Sequence, residues 1–166
     1  MGVGLRINPE CSTQGDHAIY DPCAPGSRLG VTLENFPEHL AGELSGLHFH
    51  TLCEQNSDDL ETTLAAVEEK FGKYLELPNI EWLNMGGGHL MTHKDYDCDE
   101  LIRILQEFKA KYPNLRLILE PGSAFTWRTG YLVSTVEDIV ENGGVAYGDA
   151  RRVVRLPHAR LPGDAL

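Results

Sequence analysis

Three short stretches of the sequence contain residue types that can carry chemistry. Glu120 closes an apolar run and is followed at once by a proline and a glycine. Two histidines, His48 and His50, alternate along a second apolar run, so their side chains share one face of an extended strand. A third apolar run ends in three glycines at residues 86–88. These stretches form the candidate functional site.

The apolar neighbours of Glu120, which are Leu117, Ile118 and Leu119, predict a largely buried carboxylate. A lone buried carboxylate takes up a proton unless it meets a cation, and a protonated heterocyclic nitrogen is one such cation. The glycines at 86–88 let several backbone N–H groups converge on one phosphate, because no Cβ blocks the approach. Together these features predict a phosphate-bearing aromatic cofactor with the shape of pyridoxal phosphate, whose ring nitrogen points toward Glu120.

Each feature also has a simpler interpretation. The glycine triplet suits a flexible turn, and it matches neither the Walker nor the dinucleotide-binding fingerprint. His50 suits a buried histidine satisfied by hydrogen bonds, and Glu120 suits an ordinary turn acid. The pair His48 and His50, with His89 and His93 downstream, also suits a metal-dependent barrel hydrolase in which two imidazoles on one strand hold an ion. No aspartate closes a later strand in the expected way, so we assign no metal to the site.

An alternation of apolar strands and amphipathic helices must position these residues. Strands are predicted in the segments VGLRINP, GLHFHTL, NIEWLNMGGG and LRLILEPG. Residues 57–76 carry apolar side chains at helical spacing, with Ser57 as the N-cap, and residues 95–113 repeat the pattern. The alternation predicts a parallel α/β sheet, whose sites form at the carboxyl ends of the strands. Residues 9–30 have no periodicity and are predicted to be a long active-site loop or a disordered stretch.

Composition limits the classes of protein that the chain can represent. It has 166 residues, 42% of them hydrophobic, which is enough for one domain with a core. A formal net charge of -11 argues against the basic face of a nucleic-acid-binding protein and would suit a cationic ligand. The four cysteines form no CxxC pair, which favours a reducing cytoplasm, and no apolar run approaches the roughly 20 residues of a membrane span.

Five segments in register resemble the carboxynorspermidine (carboxyspermidine) decarboxylases. They are GLRINPE, YDPCAPGSRLG, GLHFHTLCEQ, LNMGGGHLMT and LILEPGSAF, and the resemblance runs from about residue 2 to about residue 147. This family consists of fold-type III pyridoxal-phosphate enzymes related to ornithine and diaminopimelate decarboxylases. The resemblance implies an alanine-racemase-like (β/α)8 TIM barrel with the cofactor at its mouth. It also implies a second β-domain that completes the site, usually across a homodimer. The nearest alternative within the superfamily is diaminopimelate decarboxylase, and the segments HFHTLCEQ and GGGHLMT argue against it.

The resemblance also implies a role for each candidate residue. His50 stacks on the pyridine ring and Glu120 pairs with the pyridinium nitrogen, so that the ring can take up the electrons left when carbon dioxide departs. These two are the predicted catalytic residues. The glycine triplet binds the phosphate, and the following proline and glycine let the backbone turn toward it. The predicted cofactor-binding residues are His50, Gly86, Gly87, Gly88, Glu120, Pro121 and Gly122.

Both ends of the sequence depart from the resemblance. The family's Schiff-base lysine lies on the first barrel strand, which we expect to precede Met1, and no lysine here lies on a predicted strand. Residues 148–166 are basic and unpatterned, and reading permitted codons one nucleotide later can give ATLDVSFACHMPDCLEMP, which is close to what the family shows there. We therefore expect residues 1–147 to form a partial barrel domain that lacks its N-terminal strands and C-terminal β-domain. An aberrant, frameshifted tail follows at residues 148–166.

The implied function is the decarboxylation of carboxynorspermidine or carboxyspermidine to the corresponding triamine in polyamine synthesis. We expect a cytoplasmic enzyme with a cationic polyamine substrate, no nucleic-acid or membrane partner, and a homodimeric full-length form. The present chain, without the lysine and the second domain, is expected to be inactive. The alternatives are a metal-dependent hydrolase that uses His48 and His50, which would bind zinc, and a non-catalytic remnant, which would bind neither zinc nor cofactor.

Overall fold

The computed structural model describes residues 2–15, 21–131 and 133–150. The chain divides into two compact units, Met1–Trp127 and Arg128–Leu166. The first unit contains the candidate site residues. The division of the sequence at residues 147 and 148, which rests on the family resemblance, stays a prediction, and the tail beyond residue 150 lies outside the described residues.

The first unit is built on a four-stranded parallel sheet in the order β1-β2-β3-β4. The strands are β1 (Gly4–Arg6), β2 (Gly46–His48), β3 (Trp82–Asn84) and β4 (Arg116–Ile118). Hydrogen bonds of the ladder continue beyond these bounds, from Phe49 N to Asn84 O and from Met85 N to Ile118 O, both at 2.9 Å. The predicted parallel α/β sheet is therefore confirmed.

Two long helices connect the later strands. α1 spans Ser57–Leu75 between β2 and β3, and α2 spans Cys98–Lys111 between β3 and β4. The N-cap of α1 is Asn56, whose side chain accepts a hydrogen bond from Ser57 N, and Asp59 completes a capping box. The prediction of Ser57 as the N-cap is wrong by one residue, because an Asn side chain caps a helix as well as a Ser hydroxyl does. Among the described residues, none of the helices combines the length and the apolar composition that a bilayer crossing requires.

A long segment joins β1 to β2. The described parts of residues 9–30 contain no helix or strand, which confirms the predicted loop over those parts, and residues 16–20 lie outside them. A 3₁₀ helix at Glu38–Glu43 follows, and it was not among the predicted elements. This segment therefore takes the place that a helix occupies in the later strand connections.

The hydrophobic core lies between the helices and one face of the sheet. Leu47, Phe49, Leu83 and Met85 are fully buried at 0% exposure. They share a cluster with the apolar stripes of α1 and α2, whose buried members include Leu60, Leu64, Val67, Phe71, Leu101, Ile104 and Phe108. Because alternate residues of a strand point to opposite faces, the residues between these core positions point away from the core.

The second unit contains an antiparallel hairpin of β5 (Val136–Asn142) and β6 (Val145–Ala150). Its two-residue loop is Gly143 and Gly144, with φ values of 58° and 79°, and two positive φ values in succession define the backbone of a type I′ turn. This hairpin was not among the predicted elements. Its second strand includes the first three residues of the predicted tail, residues 148–150.

Trp82 lies across the two glycines that begin β1 and β2, and this packing generates a prediction about stability. A Cβ on Gly46 would approach the indole Cε3 to 2.5 Å, and a Cβ on Gly4 would also meet the ring. The substitution Gly46→Ala is expected to lower the free energy of unfolding by about 1–3 kcal/mol, as overpacking does. Denaturant titration measures the change. Gly42→Ala is the control, because a Cβ there meets nothing within 4 Å; equal stabilities of the two variants would contradict this packing.

Candidate functional site

The parallel register sets the candidate residues in two rows on the sheet face that points away from the core. The first row is Arg6, His48, Asn84 and Ile118. The second row, two residues further along the later strands, is His50, Gly86 and Glu120. A hydrogen bond of 2.7 Å from Glu120 N to Gly86 O extends the ladder to the second row. The structure thus brings the two histidines, the glycine triplet and the acid together at the carboxyl ends of the strands.

The carboxylate of Glu120 is oriented by Asn84. The amide Nδ2 donates to Glu120 Oε1 at 2.8 Å, and Oδ1 of the same amide accepts from Gly86 N at 2.9 Å. The second carboxylate oxygen, Oε2, lies 3.9 Å from His48 Nε2. One side chain, that of Asn84, therefore links the acid to the glycine triplet.

The expectation of a largely buried surround for Glu120 is wrong. Its side chain is 50% exposed, and the preceding residues 117–119 are only half-buried. The physical reason is that β4 is the last strand of the described sheet, so it has a neighbouring strand on one side only. The carboxylate is therefore accessible to a ligand.

The two imidazoles stand nearly perpendicular, with an interplanar angle of 83° and ring centroids 6.4 Å apart. Burial is the main cause that lowers the pKa of both rings below the usual 6.5; the Arg6 charge lowers it further, and Glu120 opposes the shift. Arg6 is held close because its Nη2 donates to His50 O at 3.2 Å. The lowered pKa favours the neutral form of both imidazoles at pH 7, so the contact between His48 and Glu120 has little ion-pair character there.

The same side chains also satisfy the geometry of the metal hypothesis. Donor atoms of His48, His50 and Glu120 lie within 4.8 Å of one another. Two imidazoles and one carboxylate form a donor set that zinc uses in proteins. The two downstream histidines do not join this group: His89 is fully buried, and His93 Nδ1 lies 3.7 Å from a neighbouring aspartate.

The glycine triplet is packed tightly against the ends of the neighbouring strands. Gly86 and Gly88 have φ values of 70° and 93°, which favour glycine. A Cβ on any of the three glycines would collide with a backbone carbonyl, that of Phe49, Glu120 or Leu52 respectively. Gly86 N is bonded to Asn84 Oδ1, and Gly87 N contacts His50 Nδ1 at 3.5 Å. Close packing therefore accounts for the triplet by itself, and its binding of phosphate stays a prediction.

The two residues after Glu120 turn the chain away from the sheet. Pro121 is the N-cap of a five-residue helix, α3 (Gly122–Thr126). In contrast to the triplet, a Cβ on Gly122 would meet nothing within 4 Å. The space beside this turn is open, and a phosphate contact by Pro121 or Gly122 stays a prediction.

Two glutamines, Gln14 and Gln55, hold the long loop beside His50 through hydrogen bonds. Neither was identified as a site residue from the sequence. Gln14 Nε2 donates to Thr51 O at 2.9 Å, and Gln55 Nε2 donates to Thr13 O at 2.6 Å. Gln14 is buried, and a buried amide needs such partners. Gln55 belongs to the segment GLHFHTLCEQ, but its spacing alone does not mark it. The loop therefore passes the carboxyl end of β2.

No lysine belongs to the group around Glu120. Each lysine has an ion pair or hydrogen bond elsewhere: Lys70 with Glu10, Lys73 with Glu38, Lys94 with Asp95, Lys109 with the carbonyl of Pro113, and Lys111 with Glu68. The side chains near a ligand at this site therefore carry imidazole, amide and carboxylate groups, with the guanidinium of Arg6 in the first row.

Comparison with known proteins gives relatives that span most of the chain. No family model matches the sequence. Over 140 residues, which are 84% of this chain, the sequence is 52% identical to the carboxyaminopropylagmatine decarboxylase of Synechocystis sp.. Over the same share it is 44% identical to the carboxynorspermidine/carboxyspermidine decarboxylase of Campylobacter jejuni. The chain spans about a third of these relatives, 35% and 36% of their lengths.

Solved structures give the same result for the fold. The crystal structure of carboxynorspermidine decarboxylase complexed with norspermidine from Campylobacter jejuni matches 86% of this chain and 35% of that chain, with a TM-score of 0.70 and 42% identity. The diaminopimelate decarboxylase of M. jannaschii matches 87% of this chain and 38% of that chain with a TM-score of 0.57 at 23% identity, which bears on the fold alone. The predicted family resemblance and the predicted class, part of a (β/α)8 barrel of the pyridoxal-phosphate-binding type, are confirmed.

His89 directly follows the glycine triplet and generates a prediction about pH. It is fully buried, and neither ring nitrogen has a hydrogen-bond partner among the described residues. Burial, with a smaller contribution from His50, lowers the pKa of His89 from 6.5 to about 4. The unfolded chain therefore binds the proton first as the pH falls below 6.5. Stability is lost progressively down to the folded-state pKa.

The variant His89→Leu isolates this contribution, since leucine fills a similar volume without titrating. Between about pH 7 and about pH 4.5, the unfolding free energy is expected to fall by about 2 kcal/mol more in the native chain than in the variant. Urea titrations at both pH values measure the difference. A parallel decline of the two proteins would contradict a depressed pKa at His89.

Proposed function

Because this chain is homologous over 84% of its length to carboxynorspermidine/carboxyspermidine and carboxyaminopropylagmatine decarboxylases, we propose that it supplies the cofactor-nitrogen side of a decarboxylase site. The cofactor is pyridoxal 5'-phosphate, and the protein to which the segment belongs decarboxylates a carboxylated polyamine. The observation that carries the proposal is the carboxylate of Glu120, which Asn84 holds beside His48 and His50 at the carboxyl ends of the strands.

The Glu120 carboxylate fits the ring nitrogen of the cofactor. Glu120 is half exposed, and Oε2 is left available because Asn84 bonds Oε1. A carboxylate in this position can keep a proton on a pyridine nitrogen, since an adjacent negative charge favours the charged form of a base. The cofactor, when bound, serves as the electron sink for the carbanion left by decarboxylation. Glu120 maintains the ring charge on which that capacity depends.

His50 provides the flat surface for the ring. It lies one row beyond His48 and contacts Gly87 N through Nδ1 at 3.5 Å, so its ring stands between the strand end and the glycine triplet. Burial and the Arg6 charge lower its pKa, which keeps the imidazole neutral beside a cationic ring. A neutral imidazole stacks on a pyridinium without charge repulsion.

We assign the binding of the cofactor phosphate to the glycine-rich backbone. Residues 86–88 lie beside Glu120. The space at Gly122 is open, because a Cβ at that position would meet nothing within 4 Å. Backbone N–H groups released from their long contacts, such as Gly87 N at 3.5 Å from His50 Nδ1, would donate to phosphate oxygens. Pro121 starts the short helix that follows and sets the direction of the chain there.

The substrate class is a cationic polyamine that carries a carboxylate. Carboxynorspermidine and carboxyspermidine are the candidates from the relative of Campylobacter jejuni, and carboxyaminopropylagmatine is the candidate from the relative of Synechocystis. A formal charge of -11 favours the approach of such cations. We further propose a cytoplasmic homodimer for the whole enzyme. With carboxynorspermidine or carboxyspermidine the product would be a triamine in polyamine synthesis. The described cysteines, all free thiols, are in keeping with a reducing compartment.

A chimera tests the proposal directly. The matching segment of the Campylobacter jejuni decarboxylase is replaced by the 140 aligned residues of this chain, and carbon dioxide release from carboxynorspermidine is measured. The chimera is expected to be active. Glu120→Gln in the chimera should lower kcat by at least about 100-fold, because the neutral amide no longer holds the ring proton.

Glu81→Gln is the matched control, since Glu81 is an exposed acid at the opposite end of β3. This variant should retain the turnover of the parent chimera. A folded chimera without activity, or a Glu120→Gln chimera with unchanged kcat, would refute the assigned role.

A further inference from the structure

The side chains of the candidate site also offer donor atoms for a metal ion. His48 Nε2 is buried and has no hydrogen-bond partner among the described residues, and the nearest acid oxygen, Glu120 Oε2, is 3.9 Å away. His50 contributes a third donor atom within 4.8 Å of both. Three side chains at the ends of β2 and β4 thus place donor atoms around one small space.

One donor pair has a separation close to what a zinc ion requires, and the third donor, within 4.8 Å of both, has to move closer. Tetrahedral coordination at about 2.0–2.1 Å from the metal places ligand atoms about 3.3 Å apart. The separation of 3.9 Å between His48 and Glu120 closes to that value by small side-chain rotations. Two imidazoles and one carboxylate leave the fourth position open, which is the composition of catalytic rather than structural zinc sites.

The surroundings of the three donors support such a site. Asn84 bonds Glu120 Oε1 at 2.8 Å and so fixes the carboxylate with Oε2 turned toward His48. A partner of this kind outside the ligand set orients a metal ligand. The contact between Gly87 N and His50 Nδ1 is long at 3.5 Å, so His50 can exchange it for a metal at little cost. The nearby Arg6 opposes a cation and limits the affinity.

We propose that His48, His50 and Glu120 bind Zn²⁺ in the cofactor-free protein, and that zinc and pyridoxal 5'-phosphate exclude each other from this site. The first part stands on the donor geometry alone. The second part rests on the proposed function, because it requires Glu120 and His50 to be the residues that also contact the cofactor ring. The metal would act as an inhibitor of cofactor loading.

The first experiment titrates the purified chain with Zn²⁺ in competition with a chromophoric chelator. One site is expected. His48→Ala and Glu120→Gln should each weaken binding by at least about 10-fold, and Asn84→Ala by about 10-fold through the lost orientation of the carboxylate. His39→Ala is the matched control, because His39 lies exposed on the 3₁₀ helix away from the cluster. It should leave the dissociation constant unchanged, and it also retains all four cysteines as competing ligands.

Far-UV circular dichroism checks the fold of each variant, and Glu120→Gln keeps the test decisive if His48→Ala does not fold, since the Glu120 side chain is half exposed. Absence of zinc binding would overturn the proposal. Zinc binding that Glu120→Gln leaves unchanged would overturn it too, because the metal would then reside at other ligands.

The second experiment adds pyridoxal 5'-phosphate to the zinc-loaded chain and follows zinc release. Inorganic phosphate at the same concentration serves as the reference for direct binding of zinc by phosphate in solution. Zinc release that follows the saturation of the chain by pyridoxal 5'-phosphate, with the same half-saturation concentration, supports exclusion. Zinc binding without any cofactor binding would leave the metal site standing and overturn the exclusion, while the proposed function is tested separately in the chimera. Simultaneous binding of both would overturn the exclusion while leaving each site intact.

Discussion

The parallel register of β2, β3 and β4 is the constraint on which the candidate site depends. It sets His48 beside Asn84 in one row and brings Glu120 to Gly86 in the next. A slip of one residue between neighbouring strands would turn the site residues toward the core face. The fully buried side chains at residues 47, 49, 83 and 85 prevent this slip, because it would move them into solvent. The hydrophobic core therefore positions polar groups that it does not contact.

Close backbone packing completes the arrangement. The glycine triplet meets carbonyl groups from both neighbouring strand segments, so a side chain at any of its positions would separate the strand ends. Asn84 joins the two parts of the site, because its amide donates to Glu120 and accepts from Gly86. The distance between the acid and the bare backbone is thus set by one short, polar side chain. This linkage holds the carboxylate in the position that both proposals, for the ring nitrogen and for the metal ion, require.

Much of this could be predicted from the sequence, because the strands and helices are encoded by local patterns. Apolar spacing gave the stripes on α1 and α2, and the segments around His48 and Glu120 fell at strand ends as a parallel α/β order requires. Elements with weaker patterns were missed. The hairpin around Gly143 and Gly144 has a glycine pair that suits a tight turn, yet the apolar residues of β5 do not alternate with polar ones, and all seven of its residues are exposed.

The remaining failures are tertiary in origin. The apolar neighbours of Glu120 indicated burial, but the exposure of its side chain depends on whether another strand lies beside β4, and local sequence does not contain that information. The roles of Asn84 and Gln14 depend on partners 36 and 37 residues away, which no spacing rule connects. The buried state of His89 likewise follows from packing, since histidine itself is indifferent between surface and core.

The most direct test of the central claim is the ¹⁵N NMR spectrum of the decarboxylase chimera loaded with pyridoxal 5'-phosphate that is labelled at the ring nitrogen. With Glu120 in place, the nitrogen is predicted to resonate at the position of a protonated pyridinium at pH 7.5, and replacement of that carboxylate by an amide is predicted to move it to the unprotonated position. An unprotonated nitrogen in the parent chimera, or an identical resonance in both proteins, would contradict the account.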